Sequence, residues 1–271
     1  MTTPGAGPWR HRLSVSGSSS QRQTVAEDLA LWARHDVGYV SVPFGKLRPG
    51  DAELVAAAGL RVASVLILGA RLDRTQDWPA YRDQVDHVFE AARIVGSENV
   101  ALTTGSAGPM PWDEAADAFA ELVSPLVAAA PVPVLLEHTN QLRSDISFVF
   151  RLRDAVDLAR PLGMGVLMET TACWQERGLA DTVADAAHTI GLVHVSDLGP
   201  VVVSTPDRLV PGDGVIPLAR IAGGLLAAGY GGPFELEYAG PRIEAMGYDA
   251  ALARAVPALT AILESAAAGL S

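Results

Sequence analysis

Eight short runs rich in Val, Ile and Leu recur along the chain, and each is followed by an amphipathic stretch of helical period. The runs are "HRLSVSG", "VGYVSVPF", "RVASVLI", "NVALTTG", "VPVLLEH", "GMGVLMET", "GLVHVSD" and "PFELEYA". Strands of this composition, separated by helices, pair in parallel: a parallel neighbour needs a long crossover and is buried on both faces. Eight such units in 271 residues, 49% of them hydrophobic, predict a single-domain α/β fold, a closed (β/α)8 TIM barrel over residues 11–271. An open doubly wound sheet is the competing arrangement. It would carry a Gly-rich phosphate turn after the first strand, for which "VSGSSSQ" is a weak substitute. Residues 1–10 are mostly small and polar and read as a flexible tail, not a secretory signal. In the last helical stretch, "YDAALARAVPALTAILESAAAG", Pro257 is expected to kink the helix or split it.

Charge and composition narrow the partners. A net charge of −11 repels phosphate backbones, so nucleic acid is not expected. No stretch approaches the roughly 18 uninterrupted apolar residues of a membrane span, so no membrane is expected either. The one cysteine, Cys173, permits no internal disulfide and suits a reducing cytoplasm. A barrel of this kind can pair through its helices, which leaves a homo-oligomer open.

Chemistry in such barrels gathers at the C-terminal ends of the strands. The last inward polar residues of strands five to eight are Glu137, Glu169, His194 and Glu237. Glu235 shares the face of Glu237 one layer deeper, where an interior partner is expected to neutralise it. Taken singly, each has an ordinary reading: a glutamate paired with a base, a hydrogen-bonded structural histidine. Taken together, three carboxylates in an apolar mouth repel, and a divalent cation removes that repulsion. Three oxygens and one imidazole suit Mn²⁺ first, with Mg²⁺, Co²⁺, Fe²⁺ or Zn²⁺ as alternatives. On the substrate side, Arg208 in "STPDRLVPGDG" is expected to reach a hydroxyl, carboxylate or phosphate. Trp112 and Trp174 are expected to wall an apolar side. His138 points away from the axis by strand alternation, unless the strand end bends it toward substrate.

The second half also resembles the sugar phosphate isomerase/epimerase group of xylose isomerase-like TIM barrels. The matching pieces, "LLEHTN", "GMGVLMETT", "LVHVSD", "LVPGDGVIPL" and "GYGGPFELE", span residues 131–237. The resemblance implies one divalent metal, held by a Glu, an Asp, a His and a Glu that correspond here to Glu137, Glu169, His194 and Glu237. It also implies that Glu137 and Glu237 exchange protons with substrate. Two positions depart from the pattern. Glu169 stands where the family has Asp, and its extra methylene is expected to push the carboxylate further in. Ala172 stands where the family often has His. The expected activity is a metal-dependent isomerase or epimerase of a small polar sugar or sugar-like keto compound, working by proton abstraction next to a carbonyl. A lyase on the same site is the alternative, and a non-catalytic small-molecule-binding barrel the third reading. A DNA-repair nuclease would need further histidines and a basic groove.

Overall fold

The computed structural model describes residues 9–201 and 204–270, and in it eight parallel strands close into a barrel. The strands are β1 (Leu13–Ser16), β2 (Tyr39–Pro43), β3 (Arg61–Ile67), β4 (Val100–Thr103), β5 (Val134–Glu137), β6 (Gly165–Glu169), β7 (Ile190–Val195) and β8 (Phe234–Leu236). Each pairs with its neighbours in sequence, and β1 closes the barrel on β8. The eight-stranded barrel expected from the alternation is the fold observed. A two-stranded antiparallel ribbon, Asp197–Leu198 with Arg208–Leu209, lies outside the barrel sheet in the loop after β7.

Strand alternation sorts the side chains into two cores. Val15, Val40, Val65, Leu102, Leu136, Met168, Val193 and Leu236 join the large cluster between barrel and helices. Tyr39, Ala63, Ala101, Leu135, Leu167 and Leu192 form a separate cluster inside the barrel. A Cβ on Gly165 or Gly191 would come within 2.7 Å of the Leu135 side chain, so glycine at both positions lets Leu135 fill the floor. Two residues further along β2, β5, β6 and β7 the inward positions turn polar: Ser41, Glu137, Glu169 and His194. The apolar plug thus closes the bottom of the cylinder and leaves the polar layers toward the C-terminal rim.

The last helix is continuous from Tyr248 to Ala268 with Pro257 inside it, so the expected split does not occur. Its length and apolar composition would suffice to cross a membrane. Here its Ala251, Leu252, Ala255, Leu259 and Leu263 face is buried, and it packs on the helix Leu218–Ala227, β1 and β8. That one-sided burial holds the helix together across the missing N–H of the proline. Of the expected tail, residues 1–8 lie outside the described residues. Trp9 packs against the core, and Arg10 begins a 3-10 turn.

Candidate functional site

Strands β5 to β8 lie side by side, and the register sets Glu169 beside His194 and His194 beside Glu235. Glu237 follows β8 directly and donates its backbone N–H to Val195 O at 3.2 Å. One ligand-type atom from each of Glu137, Glu169, His194 and Glu237 falls within 4.8 Å of all the others. Four residues widely separated in sequence are therefore brought to one point at the rim.

His194 is oriented from below. Its Nε2 lies 3.1 Å from Glu235 Oε1, while Glu235 Oε2 accepts from Ser14 Oγ at 2.5 Å and Ser41 Oγ at 2.6 Å. Glu235 is satisfied by interior partners, as expected of its deeper layer. With Nε2–H donating downward, Nδ1 faces Glu237 Oε2 at 3.2 Å, Glu169 Oε2 at 3.7 Å and Glu137 Oε1 at 3.8 Å. A carboxylate behind the ring is the usual brace for a metal-bound imidazole. Truncation by Glu235→Ala leaves three buried donors unpaired and is expected to cost about 3 kcal/mol or more in a denaturant melt.

The donor set fits a cation. Nδ1 of His194 and Oε2 of Glu169 are buried and face each other at 3.7 Å; Nδ1 makes no hydrogen bond, and Oε2 is paired with the Arg208 guanidinium. Glu169 accommodates its extra methylene by folding back. Its Oε1 accepts from Thr171 N at 2.9 Å and Thr171 Oγ1 at 2.7 Å, so only Oε2 faces the cluster. The hydroxyl two residues beyond an acid is the signal in "ETT" that would have revealed Thr171.

Charge in the cluster is divided unequally. Burial, reinforced by Glu237 and Glu169 against the pull of His194, pushes the Glu137 carboxyl up to about 8. Burial also acts on Glu237, but the His194 and Arg208 charges outweigh it and hold that carboxyl well below the usual range. Glu169 is likewise buried and likewise lowered, chiefly by Arg208. Burial opposes protonation of His194, yet Glu237, Glu169 and Glu235 together raise it well above the ordinary imidazole value. The site without metal thus holds protons on Glu137 and His194 and negative charge on Glu169 and Glu237.

The rim opens into a cavity of about 1510 Å³ whose lining includes Glu137, Glu237, Arg208, Asn140, Tyr81 and Ala172. Arg208 does not project freely toward substrate. Its Nη2 lies 2.7 Å from Glu169 Oε2, and its Nη1 pairs with Glu237 Oε2 and donates to Glu237 O at 3.0 Å. Three other residues expected near substrate lie outside the cavity lining. His138 is fully buried, and its Nε2 accepts from Glu169 N at 3.1 Å. Burial lowers its pKa to about 4, so it is a neutral clamp between β5 and β6. Trp112 is 43% exposed at the start of the helix Trp112–Ala129 and meets Phe148 edge-on at 5.9 Å. Trp174 closes the short helix Thr170–Cys173 and packs half-buried on the core. Both tryptophans pack against nearby apolar groups, and neither lines the cavity.

The "HVSD…PGDGVIPL" stretch has a structural explanation. Asp197 accepts from the backbone of Gly212 at 3.0 Å and of Ile216 at 2.9 Å, tying off the loop that carries Arg208. A Cβ on Gly214 would stand 2.2 Å from Leu198 O, so the close approach requires glycine there.

Residues 51–262 match the family model for xylose isomerase-like TIM barrels. The chain belongs to that family. Among solved structures it is similar to protein SMc04130 from Sinorhizobium meliloti 1021, at 23% identity and a TM-score of 0.82, covering 93% of this chain and 98% of that one. The IolI protein, with a bound zinc atom, is similar at 14% identity and a TM-score of 0.81, with coverage of 93% and 98%. An L-ribulose 3-epimerase is similar at 18% identity and a TM-score of 0.74, covering 96% of each chain. No curated protein matches the sequence. At these identities the structural likeness speaks for the shared barrel, and the chemistry has to come from the residues themselves.

Proposed function

We propose that the protein is a divalent-metal-dependent isomerase or epimerase of a sugar or sugar-like keto compound, acting by proton transfer at the carbon next to a carbonyl. The observation that carries this reading is the convergence of Glu137, Glu169, His194 and Glu237 within 4.8 Å at the barrel rim. Family membership and the likeness to an L-ribulose 3-epimerase support it. A bound cation would polarise the substrate carbonyl and steady the negative charge that develops on its oxygen. Mn²⁺ is the proposed ion. The same donors suit Zn²⁺, which the IolI structure holds, as well as Mg²⁺, Co²⁺ and Fe²⁺.

The proton chemistry belongs to the two outer glutamates. Both line the cavity, and without the ion their environments drive their affinities for protons apart. Both are placed to exchange a proton with the carbon next to the carbonyl, one taking it and the other, or the same one, returning it. Delivery to the opposite face gives epimerisation, and to the neighbouring carbon gives aldose–ketose exchange. Elimination is the second reading, favoured by Ala172, a methyl in the cavity lining that leaves room beside the reacting carbons where the resemblance suggests an imidazole.

Incubating the Mn²⁺-loaded protein with a panel of ketopentoses, ketohexoses and keto-glycosides in D₂O separates these readings. Deuterium is expected at the carbon next to the carbonyl, in recovered substrate or its epimer. An unsaturated product instead moves the assignment to the lyase. No exchange with any member of the panel overturns the isomerase reading.

A further inference from the structure

We infer that Arg208 is a built-in cation that occupies the metal's own oxygens, so that loading the ion requires the guanidinium to withdraw. The inference rests on the metal-centre reading above and concerns how that centre is filled.

The geometry is direct. Arg208 contacts Glu169 Oε2 and Glu237 Oε2 at once. Those are the oxygens of these two residues that face His194 Nδ1, at 3.7 Å and 3.2 Å. An ion held by His194, Glu169 and Glu237 needs the same atoms at about 2.0–2.2 Å. Guanidinium and ion would then share lone pairs as like charges a few ångström apart, which the weakly screened barrel interior does not tolerate cheaply.

The arm that delivers Arg208 is anchored on both sides. The residue pairs with Leu198 in the two-stranded ribbon, and its N–H donates to Ala239 O at 3.0 Å. Asp197 ties the chain beyond it through Gly212 and Ile216. Before it, a Cβ on Gly240 would lie 2.8 Å from Pro206 O, so the two segments are in close backbone contact. The backbone is therefore fixed, and the long side chain is the part able to move. That side chain is 17% exposed, on the side of the cavity it lines, which gives it a place to withdraw.

The arrangement serves the site before loading. Three carboxylates gathered at the rim need positive charge before any ion arrives, and Arg208 supplies it. The consequence is a threshold: an ion must bind more strongly than an intramolecular guanidinium that is always at hand.

Titration of Mn²⁺ into the metal-free protein tests this without any turnover. Arg208→Gln is expected to bind Mn²⁺ about tenfold or more tightly than the unmodified chain, and Arg208→Lys to fall between them. Equal or weaker binding by Arg208→Gln overturns the competition while leaving the metal centre standing. Absence of Mn²⁺ binding by every form overturns the metal reading and this inference together. Should Arg208→Gln fail to fold, the unmodified protein decides the matter. Phenylglyoxal modification of Arg208, followed by peptide mass spectrometry, is expected to run several-fold faster with Mn²⁺ than without. An unchanged or slower rate overturns the inference.

Discussion

Glu137→Gln is expected to lower kcat by about 10³-fold at saturating Mn²⁺ while leaving the barrel folded. The substitution keeps the shape of the side chain and removes a carboxylate that lines the cavity and can exchange a proton with substrate. Stability should move the other way. Glu137 binds its proton more tightly in the fold than in the unfolded chain, so it detracts from stability increasingly as pH rises from its ordinary value toward 8. Metal-free Glu137→Gln should therefore melt at the same or a higher temperature than the unmodified protein at pH 8.5. Glu237→Gln should do the reverse. Its carboxyl is held below the ordinary range and contributes stability throughout neutral pH, lost only in acid. Its removal also leaves Arg208 and His194 short of a counter-charge. Retention of more than a tenth of the activity by Glu137→Gln would remove Glu137 from the proton path.

How far the sequence revealed this site depends on what each residue's position is set by. The four rim residues were legible because strand alternation and strand ends obey a fixed period, so Glu137, Glu169, His194 and Glu237 had only one face to take. Glu235 was legible for the same reason, down to its need for an interior partner. Loop residues carry no such period. Nothing in "STPDRLVPGDG" says that Arg208 turns back onto Glu169 and Glu237; that direction comes from Asp197, the ribbon and the close approach at Gly214, all long-range. His138 shows the rule and its limit. Alternation turned it from the axis, and it is buried outside the cavity lining, but its partner, the Glu169 amide, belongs to another strand. Trp112 and Trp174 lie outside the cavity lining, because an aromatic ring settles against whichever apolar neighbour tertiary packing offers, here Phe148 for the first and the core edge for the second. Pro257 was read by its local penalty alone, whereas the buried face running from Ala251 to Leu263 outweighs it.

Mn²⁺ binding is expected to release about two protons at pH 7, so that the apparent association constant climbs by up to about 100-fold per pH unit below neutrality. The metal-free protein holds one proton on Glu137, whose carboxyl is raised to about 8, and one on His194, which is raised well above its ordinary value. A cation needs the ionised carboxylate of the first and the Nδ1 lone pair of the second, so both protons must leave. Glu169 and Glu237 are already ionised and add nothing to the slope until the solution is acid. The dependence should flatten once pH exceeds the values of both protonated groups. Calorimetric titration in buffers of different ionisation enthalpy counts the protons directly. The same two groups fix the sign of the stability change without metal: each binds its proton more tightly in the fold, so the melting temperature should fall as pH rises from about 5 to 8.5. Saturating Mn²⁺ should abolish that fall, because the ion replaces the protons as the stabilising positive charge. A pH-independent affinity with no proton release would mean that the cation does not bind among these four residues.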